Sequence, residues 1–244
     1  MRKIVLIVGV LISLMLWCSN SSAQFIQHNY IEVGKTNASG GIYLDAASLS
    51  AIRYKHIHAE LGFLFPLTEF DKFLSTFYAS AGVDFKIKNL PVEIHALFTD
   101  KLVSEFISEL QFGIIAGVKT KHVHVFLGNN TRLFNLTRNA IEQSRNDNYR
   151  KLQIVEKLNL MYSLSYLVFP QENKWNIIAS VLNYDYFLIH QETNPFVSVR
   201  FTYNPRENIG LYSEIVYKSA GFNNIQVNYF GVNLLTGILW EIDF

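Results

Sequence analysis

A chain of 244 residues that is half apolar and 14% aromatic, with only 5 prolines, is too rich in large apolar side chains to stay disordered and favours strands. Its 21 basic and 20 acidic residues leave a formal charge of +1, which excludes a nucleic-acid partner held by net charge. One cysteine excludes a disulfide framework.

The first element reads as a leader. Arg2 and Lys3 form a basic head, residues 4–18 an apolar stretch, and Ser21, Ser22 and Ala23 a small-residue cleavage site. Residues 1–23 are therefore expected to be a secretory signal peptide and residues 24–244 a single mature domain. A lipid anchor on Cys18 is the alternative, but Trp17 stands where lipidation signals carry a small residue. Cleavage after Ala23 leaves 19 basic and 20 acidic residues, a formal charge of −1. It also removes the only thiol, so neither a disulfide nor a thiolate metal site is expected.

Beyond residue 24 no stretch supplies the ~20 apolar residues of a spanning helix. Apolar and polar residues instead alternate with period two, which puts them on opposite faces of a strand. The first strand is expected at about 25–34, with a ragged pattern. Ile57, Ala59, Leu61, Phe63 and Phe65 then alternate with His58, Glu60 and Gly62, and Ala79, Ala81, Val83, Phe85 and Ile87 with Ser80, Asp84 and Lys86. Val92, Ile94, Ala96 and Phe98 alternate with Glu93 and His95, and Leu110, Phe112, Ile114, Ala116 and Val118 with Gln111, Gly113 and Lys119. Leu158, Leu160, Tyr162, Leu164, Tyr166 and Val168 enclose Asn159, Ser163 and Ser165. Within 175–190 the phase with Ile178, Leu182, Tyr184 and Leu188 outward is chosen, because it turns Asn183 and Asp185 inward. Val197, Val199, Phe201 and Tyr203 alternate with Ser198, Arg200 and Thr202.

Turn chemistry separates these runs in two kinds. Short connections are expected around Lys55, at Asn89-Leu90-Pro91, at Thr120-Lys121, at 170–173 and at 204–208. Longer polar ones are expected at 37–40, 68–75, 99–108, 138–151, 191–194 and 219–224. Strict alternation of the two kinds implies antiparallel neighbours and 12 strands, with ten as the alternative if the ragged first strand fails.

The chain ends on an alternating row, Ile238, Trp240, Ile242 and Phe244, with Glu241 and Asp243 on the other face. This row resembles the C-terminal insertion signal of bacterial outer-membrane β-barrel proteins, a class rather than one family. The resemblance implies an all-β, antiparallel, up-and-down transmembrane barrel in the cell outer membrane. It further implies outer-membrane lipids and the barrel assembly machinery as partners, and allows an envelope protein partner.

For such a barrel the backbone cylinder has a radius of ~12 Å. The polar faces would turn inward Glu32, Asp45, Arg53, Glu60, Asp84, Lys86, Glu93, His95, Arg132, Lys157, Asp185, Arg200, Glu214 and Glu241. In hydrocarbon these groups would each cost several kcal/mol, so water or one another must satisfy them. Signs in near balance imply a narrow, weakly selective channel for ions or small polar solutes, since selective pores carry rows of one sign. The alternative is a non-conducting surface or envelope-assembly barrel that binds a partner through its loops. A lipid hydrolase ranks behind both, because no nucleophile and base occur at a catalytic spacing. No catalytic residue, cofactor or metal site is expected. His58, His95 and His124 fall on alternate strands, about 10 Å apart along the wall, too far to share one ion.

Overall fold

The computed structural model describes residues 23–35, 41–68, 74–104, 106–144, 153–169, 174–184, 191–218 and 231–244. The side chains of 143–144, 153, 156–158 and 191–194 lie outside that description, as do residues 1–22 of the proposed leader and Asp185.

Twelve strands follow in chain order: β1 (Ala23–Lys35), β2 (Ile42–Tyr54), β3 (Ile57–Pro66), β4 (Thr76–Ile87), β5 (Leu90–Leu102), β6 (Ile107–Lys119), β7 (Val123–Leu136), β8 (Gln153–Leu167), β9 (Trp175–Tyr184), β10 (Gln191–Arg206), β11 (Ile209–Lys218) and β12 (Gly231–Asp243). A short helix, α1 (Arg138–Ser144), follows β7. Each strand pairs antiparallel with its chain neighbours, and β1 pairs with β12 from Gln24↔Asp243 to Val33↔Leu234, closing a 12-strand barrel. The ragged first strand is thus a full member of the wall, and the ten-strand alternative falls. Closure pairs the first strand with the last, so neither is left as a sheet edge.

Both described termini lie at the end of the barrel that carries the short turns. There Lys55 and Lys88 take positive φ angles of 53° and 57°, which lets the chain reverse tightly. Several boundaries differ from those expected. The turn before β5 is Lys88 and Asn89, with Leu90 and Pro91 already paired, and the turn after β10 is only Glu207 and Asn208. Residues 99–102 and 107–108 belong to β5 and β6, because cross-strand pairing continues to Leu102↔Ser108 despite their polarity. Residues 191–194 belong to β10, whose register shifts between Gln191 and Phe196 and again between Tyr203 and Arg206. Pro195 and Pro205 fall in those two intervals, where a residue without an N–H cannot join the ladder.

The outward positions are apolar: Leu160 on β8 is 61% exposed, and Ile114, Leu127, Ile215 and Val232 stand out similarly. Phe63, Phe77, Phe98 and Phe112 run across four adjacent strands with ring centroids 5.5, 6.2 and 5.0 Å apart, and Trp175 stacks on Tyr203 at 4.2 Å near the short-turn end. An apolar outer wall carrying aromatics is the reverse of a soluble sheet.

The phase of β9 is opposite to that expected. Residues directly opposite in an antiparallel pair share a face, and Ser163↔Leu182 and Ser165↔Ser180 therefore turn Leu182 inward together with Ile178 and Tyr184. Leu182 and Tyr184 are buried, while Trp175 and Val181 face out. Asn183 has another task. It sits beyond the last β8–β9 backbone pair, accepting from Tyr162 N at 2.8 Å and donating to Leu160 O at 2.8 Å, so its amide continues the ladder. Replacing Asn183 with leucine orphans both backbone groups. The expected cost is about 1–3 kcal/mol, and hydrogen exchange at the Tyr162 amide should quicken while the rest of β8 is unchanged; equal protection in the two proteins would refute this role.

Candidate functional site

Inward side chains follow one parity along each strand except where β8 and β10 shift register, and they form four polar networks around an apolar collar. Near mid-height Arg200 on β10 and Glu214 on β11 are direct cross-strand partners. Arg200 donates to Glu214 Oε2 from Nε at 2.8 Å and from Nη2 at 2.5 Å, and both residues are buried. The guanidinium also lies 4.3 Å from the centre of the Tyr212 ring, whose hydroxyl meets His28 Nε2 at 2.7 Å.

Toward the loop end a second network joins β6 and β7. Arg132 bonds Glu109, Gln111 donates to Glu109 at 2.9 Å, and Asn130 donates to Gln111 at 3.0 Å. Glu109 is 1% exposed, the most deeply buried acid among the described residues, and it was not in the expected inward set. Its signal was its parity, which it shares with Gln111 and Gly113. Across the barrel, in a third network, Tyr43 donates to Glu32 at 2.5 Å, and Lys218 Nζ stands 3.7 Å from the same carboxylate. Asp45, opposite Glu32, is buried beside them.

Toward the short-turn end a fourth network crosses four strands, β3 to β6. His58 on β3 and His95 on β5 both pair with Gly82 of β4. Glycine has no side chain to separate them, so the rings meet over it with centroids 4.3 Å apart and His58 Nε2 3.0 Å from His95 Nδ1. The expected separation of these two histidines is therefore wrong: it counted backbone spacing and ignored the gap above Gly82. Glu93 lies 3.3 Å from His95 Nε2 and accepts from Lys119 at 2.8 Å, and Asp84 lies 3.8 Å from His58 Nδ1. Among the described residues no group of three or more His, Cys, Asp or Glu side chains is arranged to hold a metal ion.

The remaining expected inward residues are spread out. Glu60 accepts from Tyr78 and Ser80 at 3.2 Å, and Glu241 accepts from Gln24 at 3.0 Å. Arg53 and Lys86 are exposed at the short-turn rim. The side chain of Lys157 lies outside the described set. On β12, Trp240, Ile242 and Phe244 stand exposed on the outer face with Ile238 half-buried in the same row, and Phe244 N donates to Ala23 O at 2.9 Å across the closing seam.

Between the networks lies the collar, which period counting had read as polar wall. Leu64, Tyr78, Leu97, Met161, Leu182 and Leu235 belong to one buried apolar cluster fed by eleven strands, and the Phe126 ring of β7 packs against it. Tyr78 and Met161 are each 1% exposed, so both side chains are packed away from water.

No protein-family model and no curated protein sequence matches the chain. Among solved structures it is similar to a KdgM porin, at 10% identity and a TM-score of 0.52, over 88% of this chain and 98% of that one. It is also similar to outer membrane phospholipase A from Escherichia coli, at 10% identity and a TM-score of 0.47, over 90% of this chain and 92% of that one. A third similar structure is the Acinetobacter baumannii outer membrane protein Omp33, at 11% identity and a TM-score of 0.47, over 91% of this chain and 99% of that one. The chain has the closed antiparallel fold of the bacterial outer-membrane β-barrels.

Proposed function

We propose that the protein is a narrow, weakly selective conduit for ions or small polar solutes across a bacterial outer membrane, shut at mid-height by its apolar collar. One observation carries this reading: buried charges of both signs line the interior together with a cluster of buried apolar side chains drawn from eleven strands. An apolar constriction passes ions only when it wets, so it acts as a gate, and paired charges of both signs give little preference for anion or cation. The porin likeness supports the barrel and says nothing of the solute. In the same reading residues 1–23 are removed on export, and the row ending at Phe244 is read by the assembly machinery. No step of the reading needs catalysis.

Planar-bilayer recording tests it. The native protein is expected to give small, infrequent openings, and Leu64→Ser with Met161→Ser to open several-fold more often, because hydroxyls let the collar hydrate. A heat-dependent shift on gels checks that the variant is folded. If the folded variant seals as tightly as bare lipid, the barrel is a scaffold for its loops. That second reading has its own support in the packed interior.

A further inference from the structure

At mid-strand on β1 and β2 polar side chains interrupt the apolar row of the outer wall. On β1 the outward positions at the centre of the strand are Gln27 and Asn29, and opposite them on β2 stand Ser50 and Ser48. Asn29 and Ser48 are the midpoints of two 13-residue strands, so this cluster lies at the level of the bilayer centre. Headgroups do not reach that depth, and acyl chains offer neither donor nor acceptor.

The cluster is partly satisfied from within. Gln27 Nε2 donates to Asn29 Oδ1 at 3.0 Å and to Ser48 Oγ at 3.0 Å, and Gln27 Oε1 accepts from Ser50 Oγ at 2.6 Å. These bonds use both Gln27 protons. Among the described residues they leave the Asn29 Nδ2 donors and the Ser48 hydroxyl proton without an acceptor, while each oxygen retains a spare lone pair. Elsewhere on the wall the outward polar pair Ser213 and Thr236 meets at 3.3 Å and can close on itself. The β1–β2 cluster cannot.

We propose that this face is where a second copy of the chain docks in the membrane. The surplus is uncharged and contains donors and acceptors together, so a twofold axis near Ser48 brings the donors of one copy to the acceptors of the other. A charged partner surface would meet no counter-charge there and would have to enter hydrocarbon. The shape also suits close approach. Ala46, Ser48 and Ser50 form a strip of small residues between Phe63 on β3 and Trp240 on β12, and small residues let two backbones come near. The inference needs the outer wall to face lipid and is independent of conduction.

The test uses the full barrel in lipid vesicles. Any chain processed after Ala23 has no cysteine, so Ser48→Cys is a clean probe, with Leu127→Cys on the opposite wall as its control. Oxidation is expected to join Ser48→Cys into a species of twice the mass and to leave Leu127→Cys mostly single. Adding Gln27→Leu and Asn29→Leu should weaken association about tenfold or more, while the heat-dependent gel shift shows the barrel still folded. The proposal is overturned if native protein sediments as a monomer in lipid-like detergent and Ser48→Cys cross-links no more than the control. It is equally overturned if Ser48→Cys joins a different protein when oxidised in whole membranes.

Discussion

Replacing Arg200 with alanine is expected to destabilise the barrel by about 3–5 kcal/mol. The guanidinium supplies both short bonds to Glu214, and Glu214 is only 7% exposed, so the substitution strands a buried carboxylate without the cation that satisfies it. The contact with the Tyr212 ring goes too, and with it the packing that holds Tyr212 against His28. Replacing both partners, as Arg200→Met with Glu214→Leu, should cost much less than the sum of the single changes, because two apolar side chains of similar bulk leave no buried charge. Urea unfolding from lipid vesicles reads the midpoints of native, single and double variants. The comparison also bears on the gate. If Arg200→Ala costs under about 1 kcal/mol, the value typical of a solvated pair, water reaches mid-height and the collar does not shut the interior.

The fold was legible because its physics is repetitive. Lipid outside and paired polar groups inside impose the same alternation on every strand, so a rule with period two finds most of the wall. It failed where one strand alone could not decide. Asn183 was turned inward because it is polar, yet the side on which β9 presents its residues is set by β8, and the Asn183 amide is occupied in continuing the backbone ladder. Glu109 was lost because the polar run around it looked like loop. Its parity with Gln111 was the better guide, since pairing does not stop for polar side chains that face a polar interior. The collar was missed for a related reason. Leu97, Ile115 and Met161 share the inward parity of Glu93, Gln111 and Ser163, but attention to alternation singled out the polar members of each row. How far a narrow barrel fills with its own side chains depends on which of them meet across the lumen, and a single strand does not record that.

The meeting of His58 and His95 rests on Gly82, and here a single methyl group should suffice to break it. A Cβ at position 82 would lie 2.2 Å from His58 Nε2 and 2.7 Å from the backbone oxygen of Ile94. The imidazole can swing aside, but the Ile94 oxygen belongs to the neighbouring strand and can move only with the wall. Gly82→Ala is therefore expected to cost about 1–3 kcal/mol as an overpacking change and to part the two rings, which imidazole nitrogen resonances would report as the loss of a shared hydrogen bond. Adding His58→Ala removes the side chain that the new methyl displaces. The double variant should then lose less than the two single variants together, and the shortfall measures how much of the clash is ring and how much is wall. Strict additivity would mean that the methyl meets only the backbone and that His58 is free to leave; the contact between the histidines would then be a consequence of crowding and no part of what holds this end of the barrel together.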